Sequence, residues 1–138
     1  MVDLAGILGV TDGPAAGPLR LVERIREGLP VSSLDRIARE IAPDDRNFRY
    51  RLVPRSSLAR RQLSNRLSPE EGARLARVAN IWGFAQEVWK DDNDAREFLF
   101  GRHVMLDDRR PIDVAIESEL GAELVRNILG GLLYGTAV

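Results

Sequence analysis

The strongest constraint on the fold is a helix-start signal followed by a long apolar stripe in the middle of the chain. Ser68 and Glu71 stand three residues apart with Pro69 between them, which is the pattern of a capped helix N-terminus. The apolar residues that follow recur at steps of three and four, so they line one face of a helix reaching about residue 90. They are Leu75, Val78, Trp82, Ala85 and Trp89. We therefore expect a long central helix with a buried face.

Shorter amphipathic helices are predicted on both sides of this element. Phe48, Tyr50 and Leu52 alternate with other residues over 46–53, which alone is typical of a strand. Without a partner strand, an extended connector or irregular turn is the better interpretation. The chain is therefore predicted to be all-α, with about seven helices. The other predicted helices span 19–27, 33–41, 54–63 and 93–100, a short helix from Pro111, and a last helix from Ser118 to Gly135.

Charge and composition divide the chain into three predicted segments. Residues 1–17 are rich in Gly and Pro and are predicted to form a flexible arm. Residues 18–66 form a basic helical domain, and residues 67–138 form an acidic one. The first 66 residues carry 12 Arg against 8 Asp and Glu, whereas the remainder carries 8 Lys and Arg against 13. This polarity suits an anionic partner at one end and a different partner at the other.

Several functional classes are disfavoured by what the sequence lacks. The chain has no Cys, which excludes disulfides, thiolate metal sites and a cysteine nucleophile. No apolar run reaches about 18 residues and the first residues lack a leader pattern, so we expect no membrane association and a cytoplasmic location. His103 is the single His, and Asp91–Asp94 fits helix capping better than a calcium loop. We expect no enzyme, no metal site and no cofactor.

A basic helix after the 46–53 segment is the candidate DNA-binding element. Its residues are those that contact phosphate and fix register in helix-turn-helix proteins, namely Arg55, Ser56, Ser57, Arg60 and Arg61. The alternative is a solvated basic face with no partner. Ser56 or Ser57 is predicted to cap this helix, and Leu58 and Leu63 are predicted to point inward.

The last helix carries a second candidate site at its end. Leu124/Val125, Ile128/Leu129 and Leu132/Leu133 recur at steps of four and form one apolar stripe. Gly130 and Gly131 interrupt it at a cost in helix stability, which suits a close backbone approach to the fold or to a partner. After Tyr134 and Gly135, the small residues Thr136, Ala137 and Val138 would fit a narrow pocket and present a carboxylate to cationic groups. The alternative is a frayed end.

Two blocks of sequence resemble a known family. They are "VPRSSLARRQLSNRLSPEEGARLARVANI" at residues 53–81 and "RRPIDVAIESELGAELVRNILGGLLYG" at residues 109–135. In order and spacing they resemble the ParS/MbcA/Xre antitoxins, which are the partners of toxins with a RES domain. The resemblance implies an Xre-like helix-turn-helix domain at the N-terminus and a helical toxin-binding domain at the C-terminus.

The resemblance also implies a mechanism. In this family the C-terminal end of the antitoxin reaches the toxin's active-site cleft, where the toxin degrades NAD or transfers ADP-ribose from it. We therefore expect an antitoxin that forms a homodimer within a toxin complex and represses its own operator DNA. The expected toxin-binding residues are Gly131, Leu133, Tyr134, Gly135, Thr136, Ala137 and Val138. The alternatives are a stand-alone helix-turn-helix transcriptional regulator and a structural adaptor domain.

Overall fold

The computed structural model describes residues 2–10, 17 and 19–135 of the chain. These residues form α-helices and one 3-10 turn, with no strand among them, so the predicted all-α class is confirmed. The helices are α1 (Leu4–Leu8), α2 (Leu19–Glu27), α3 (Val31–Ile41), α4 (Arg49–Leu52), α5 (Arg55–Ser64), α6 (Pro69–Trp89), α7 (Asp92–Phe100), α8 (Pro111–Glu117) and α9 (Glu119–Tyr134), with the 3-10 turn at Val104–Leu106.

The predicted central helix is α6, and it begins at the predicted capping box. The Glu71 backbone N–H donates to Ser68 Oγ at 3.2 Å, and the Ser68 N–H donates to Glu71 Oε1 at 2.7 Å. Two otherwise unpaired N–H groups are thereby satisfied. The stripe from Leu75 to Ala85 is buried as predicted, while Trp89 is half-buried and stacks on Phe98 with ring centroids 4.8 Å apart.

The chain divides into two compact units. The N-terminal unit spans Asp3–Ala76, and the C-terminal unit contains the described residues 77–135. In the N-terminal unit, apolar residues from α3 and α4 form the core together with Leu29 and Leu67, whose backbone groups are joined by a 2.8 Å hydrogen bond from Leu67 N–H to Leu29 O. Leu58 of the basic helix α5 and Leu75 of α6 are also buried within this unit.

Residues 2–10 differ from the flexible arm that was predicted for residues 1–17. Leu8 and Val10 are buried, and α1 packs on α3. The Ser33 hydroxyl donates to the Leu8 carbonyl at 2.7 Å, and Arg36 Nε donates to the Ile7 carbonyl at 3.1 Å. These contacts order α1, because it covers apolar surface of α3 and its Leu8 carbonyl accepts the hydrogen bond of the buried Ser33 hydroxyl.

The segment predicted as a connector contains α4. Phe48 and Leu52 are both buried, and they lie four residues apart, which is the spacing of one helical face. The alternation that suggested a strand is broken because Tyr50, between them, is only half-buried. The interpretation of residues 46–53 as an extended connector or irregular turn was therefore wrong.

In the C-terminal unit, α8 and α9 form a closely packed pair. A Cβ atom at Gly121 would lie 2.2 Å from the carbonyl oxygen of Val114, so only glycine allows this approach. Arg77 donates from Nε to the Ala115 carbonyl at 2.8 Å and also reaches the Ile116 carbonyl. The last carbonyls of α8 are thereby satisfied, and α8 is attached to α6.

Candidate functional site

An apolar surface lies along the exposed side of α9. We define the α9 surface as Leu120, Leu124, Leu132 and Tyr134, whose exposed fractions are 68%, 48%, 51% and 75%. The three leucines share one row of positions four residues apart, and the buried Ile128 completes that row. Four large apolar side chains exposed on one helix are candidates for contact with a partner protein.

The apolar stripe of α9 is only partly buried. The sequence indicated one apolar stripe without saying which of its residues are buried. Val125, Ile128 and Leu129 are buried, whereas Leu124 and Leu132 are exposed. Adjacent residues lie about 100° apart around a helix, so the two members of a pair can differ in burial, as Leu124 and Val125 do. The doubled pairs therefore make the apolar face of α9 wider than the part that the core covers.

The remaining predicted toxin-binding residues have different surroundings. Gly131 is buried and Leu133 is half-buried, while Tyr134 and Gly135 are exposed. Gly135 ends α9 in the left-handed conformation at φ 69°, which glycine adopts without strain. Thr136, Ala137 and Val138 lie outside the described residues.

Polar contacts cap α9 at its start and link its middle to α6. Ser118 Oγ accepts the Gly121 N–H at 2.9 Å and caps the helix. Arg126 donates from Nε to Asn80 Oδ1 at 2.7 Å and pairs through NH2 with Glu119 Oε1 at 2.9 Å. The α9 surface is thus presented by a helix that is capped at its N-terminus and joined to α6 at Arg126.

A second candidate surface is formed by α5 in the N-terminal unit. Two residues, Val53 and Pro54, join α4 to α5, so the two helices follow each other directly. Within α5 only Leu58 is buried, and Leu63 is 91% exposed. The prediction that Leu63 points inward was wrong, because five residues correspond to about 140° around a helix from Leu58.

The predicted DNA-binding residues fall into two groups. Arg55, Ser56 and Arg60 are exposed, and Ser57 is half-buried. The N-cap of α5 is Pro54, and it makes no side-chain hydrogen bond. The prediction that Ser56 or Ser57 caps this helix was therefore wrong. The guanidinium of Arg55 lies 3.8 Å from the centroid of the Tyr50 ring.

Arg61 is engaged within the fold. Its Nε donates to Glu71 Oε1 at 2.8 Å, and the Glu71 side chain is only 8% exposed. Burial alone would raise the pKa of Glu71, but the hydrogen bonds and charge of Arg61 and the hydrogen bonds of Ser68 outweigh burial and lower this pKa below its usual 4.5. Arg61 therefore holds α5 against α6 and offers less of its guanidinium to an external ligand.

Among the described residues there is no group of three or more His, Cys, Asp or Glu side chains arranged to hold a metal ion. His103 instead accepts the Met105 N–H at Nδ1 and caps the 3-10 turn. Asp91 caps α7, as predicted, by accepting the Asp94 N–H at 3.0 Å. The helices described here include none with the length and apolar character needed to cross a bilayer.

Comparison with protein-family models identifies both halves of the chain. Residues 20–80 match the antitoxin Xre-like helix-turn-helix domain, and residues 84–135 match the antitoxin Xre/MbcA/ParS C-terminal toxin-binding domain. The comparison with curated proteins gives no match. The two matched segments contain α5 and the α9 surface, respectively, and they follow each other in the order expected from the sequence. The chain therefore belongs to the Xre/MbcA/ParS antitoxins, with a helix-turn-helix domain followed by a domain that binds a toxin.

Proposed function

We propose that this antitoxin neutralises a RES-domain toxin by docking the α9 surface on it and placing residues 134–138 in its active-site cleft. The observation that carries the proposal is the exposure of Leu120, Leu124, Leu132 and Tyr134 on one helix of the toxin-binding domain. Burying these side chains against a partner would supply the apolar core that stable interfaces need. In this proposal, residues 67–138 form the domain that binds the toxin.

Inhibition in this proposal is steric. Gly135 turns the chain out of α9, and the residues after it are small enough to enter a narrow cleft. Gly131 and Leu133 support the last turn of α9 and hold Tyr134 at the rim of the interface. Because docking of α9 confines the following segment near the cleft, this segment needs little affinity of its own to exclude a dinucleotide such as NAD.

The test separates docking from blockage. A chain that lacks residues 135–138 is co-expressed with a RES-domain toxin that the full chain binds, and both complex formation and NAD consumption are measured. We expect the truncated chain to co-purify with the toxin while NAD consumption returns. The full-length variant Val104→Ala is the matched control, since it removes exposed apolar surface elsewhere in the same unit. Full inhibition by the truncated chain would exclude the proposed blockage.

We further propose that residues 18–66 bind operator DNA and mediate homodimerisation. The supporting observation is that α5 follows α4 after two residues and exposes Arg55, Ser56 and Arg60, as a recognition helix requires. Ser57 and Arg61 would support the same contact from the edge of the helix. Leu19 and Val22, which are exposed on α2, supply apolar surface for a second copy of the chain.

A mobility-shift titration tests this second function. The full chain is titrated against the DNA upstream of its own gene at two salt concentrations. We expect a two-fold symmetric site with binding that weakens steeply as salt rises. If the chain binds this DNA but never co-purifies with a toxin, the alternative of a stand-alone transcriptional regulator would be favoured. Absence of binding at low salt would exclude both DNA-binding proposals.

A further inference from the structure

A polar pocket of about 680 Å³ lies within the N-terminal unit. It is lined by side chains from α3, from the loop before α4, from α4 itself and from the first residue of α5. Its volume falls within the range of small-molecule sites, which is about 300–1,000 Å³. The pocket is therefore large enough for a ligand of mononucleotide size.

The charge of the pocket favours an anion. Its lining contains four arginines but two aspartates. Both aspartates are already engaged, because Asp35 Oδ1 pairs with Arg49 NH2 at 3.0 Å and Asp45 Oδ1 accepts the Asn47 N–H at 2.9 Å. Arg39 and Arg46 are exposed and form no ion pair with any residue in the described ranges. The pocket thus keeps a positive charge that its own carboxylates do not neutralise.

Arg49 provides a donor that the fold does not satisfy. Its Nε atom is buried and has no hydrogen-bond acceptor among the residues that the structure describes. A buried N–H without an acceptor is unfavourable, and a turn of the Arg49 guanidinium toward an anion in the pocket would remove that cost. Guanidinium groups bind phosphate oxygens through paired N–H donors, which makes phosphate the anion that best fits these side chains.

Arg55 is held in place at the edge of the same pocket. Its guanidinium lies 3.8 Å from the centroid of the Tyr50 ring, and its NH2 donates to Asn47 Oδ1 at 3.1 Å. A side chain that is already ordered loses less conformational entropy when a ligand binds. Arg55 therefore presents its charge in a fixed position.

We propose that this pocket binds the phosphate group of a nucleotide. The phosphate lies against Arg39, Arg46 and Arg49, and Arg55 closes the site on the side of α5. Two sources of this chemistry exist, a free mononucleotide and a nucleotide within a DNA strand. Either source would couple ligand binding to α5, because Arg55 is part of both the pocket and the candidate DNA-binding helix.

Calorimetric titrations of the full chain with AMP, with adenosine and with a short duplex of arbitrary sequence test the proposal. We expect saturable binding of AMP but not of adenosine. Arg46→Gln and Arg39→Gln should each weaken AMP binding about tenfold, since each removes one charged contact to phosphate. Arg26→Gln is the matched control, because it removes the same charge from an exposed position of α2 outside the pocket.

The pattern of losses identifies the source of the phosphate. One outcome is that AMP does not bind, and that Arg46→Gln weakens duplex binding while Arg26→Gln does not. This outcome supports the site and assigns its phosphate to DNA. Equal binding of adenosine and AMP would overturn the proposal. It would also be overturned if Arg39→Gln and Arg46→Gln bound AMP and the duplex as tightly as Arg26→Gln does. Circular dichroism melts verify that each variant is folded.

Discussion

Arg61 in α5 donates from Nε to Oε1 of Glu71 in α6 at 2.8 Å, and the same oxygen accepts the Ser68 N–H at 2.7 Å. One buried carboxylate therefore completes the cap of the central helix and holds the candidate DNA-binding helix against it. Within α5, Leu58 is the buried residue, and this ion pair adds a second contact that attaches the helix. The cap of α6 and the attachment of the candidate DNA-binding helix consequently depend on the same carboxylate.

The first prediction concerns the charge of Glu71. Glu71→Gln retains a capping side chain but loses the ion pair with Arg61, so we expect a loss of about 1–3 kcal/mol in the free energy of unfolding at neutral pH. The pKa of Glu71 is lowered in the folded state, so its contribution is present above the unfolded value of about 4.5 and is lost as pH falls through the folded value.

Urea unfolding at pH 7 and at successively lower pH measures this effect. The difference between the wild-type chain and Glu71→Gln should shrink below about pH 4.5. Glu70→Gln is the control, since this exposed neighbour lies in the same first turn of α6. A difference that persists undiminished in strong acid would show that the charge of Glu71 is not what stabilises the fold.

Local sequence patterns predicted the helices well because their signals are themselves local. The capping box at Ser68, the cap at Asp91 and the Gly135 stop are all present in the structure. Burial was harder to predict, since it depends on which neighbours the fold brings close. Leu63 and Leu124 are apolar in a helical pattern, yet both are exposed, and the docking of α1 depends on the distant Ser33 and Arg36.

The same limit applies to the candidate sites. The sequence located the exposed basic residues of α5 and the end of α9, but it did not indicate that Arg61 is held by Glu71. That contact joins residues on two helices and has no periodic signature. Nor did it indicate the pocket around Arg49, whose lining comes from several elements. The functional division after residue 66 and the role of residues 136–138 stay predictions.

The second prediction concerns the contact between α8 and α9. Gly121→Ala places a Cβ atom 2.2 Å from the Val114 carbonyl oxygen, so the helices must separate, and we expect a loss of about 1–3 kcal/mol in unfolding free energy. Gly130→Ala is the matched control on the same helix, because its nearest neighbour, Phe84 Cζ, is 4.0 Å away. That variant should gain about 0.5–1 kcal/mol from improved helix propensity.

Chemical denaturation of both glycine variants provides the measurement. Opposite signs for the two substitutions are the expected result. A neutral Gly121→Ala would mean that α8 and α9 pack less closely than the structure shows. A destabilising Gly130→Ala would instead indicate that this glycine is needed for the backbone conformation of α9.

The third prediction separates two arginines of α5. Arg60 is exposed, so Arg60→Ala should weaken operator binding about tenfold and reduce the salt dependence by about one ion, with little effect on stability. Arg61→Ala removes the partner of a buried carboxylate, so it should chiefly lower the unfolding free energy, by about 1–3 kcal/mol. Mobility shifts at several salt concentrations and thermal melts measure the two effects. Equal losses of DNA affinity in folded samples of both variants would contradict this division.

The fourth prediction concerns the docking of the toxin on α9. Leu124→Asp introduces a charge in the middle of the α9 surface without opening a cavity, since Leu124 is half exposed. We expect toxin affinity to fall at least about thirtyfold, because a desolvated carboxylate without a partner costs about 2 kcal/mol or more at the centre of an interface. Calorimetry with the purified toxin provides the affinity, and a thermal melt verifies the fold.

Leu63→Asp is the matched control for this experiment. It makes the same change of side chain at a position that is 91% exposed, on α5 rather than on the toxin-binding domain. If the α9 surface is the docking site, Leu63→Asp should bind the toxin as tightly as the unmodified chain, whereas Leu124→Asp should not. Equal affinities for both variants would place the toxin on another surface and would remove the basis for putting residues 134–138 in its active site.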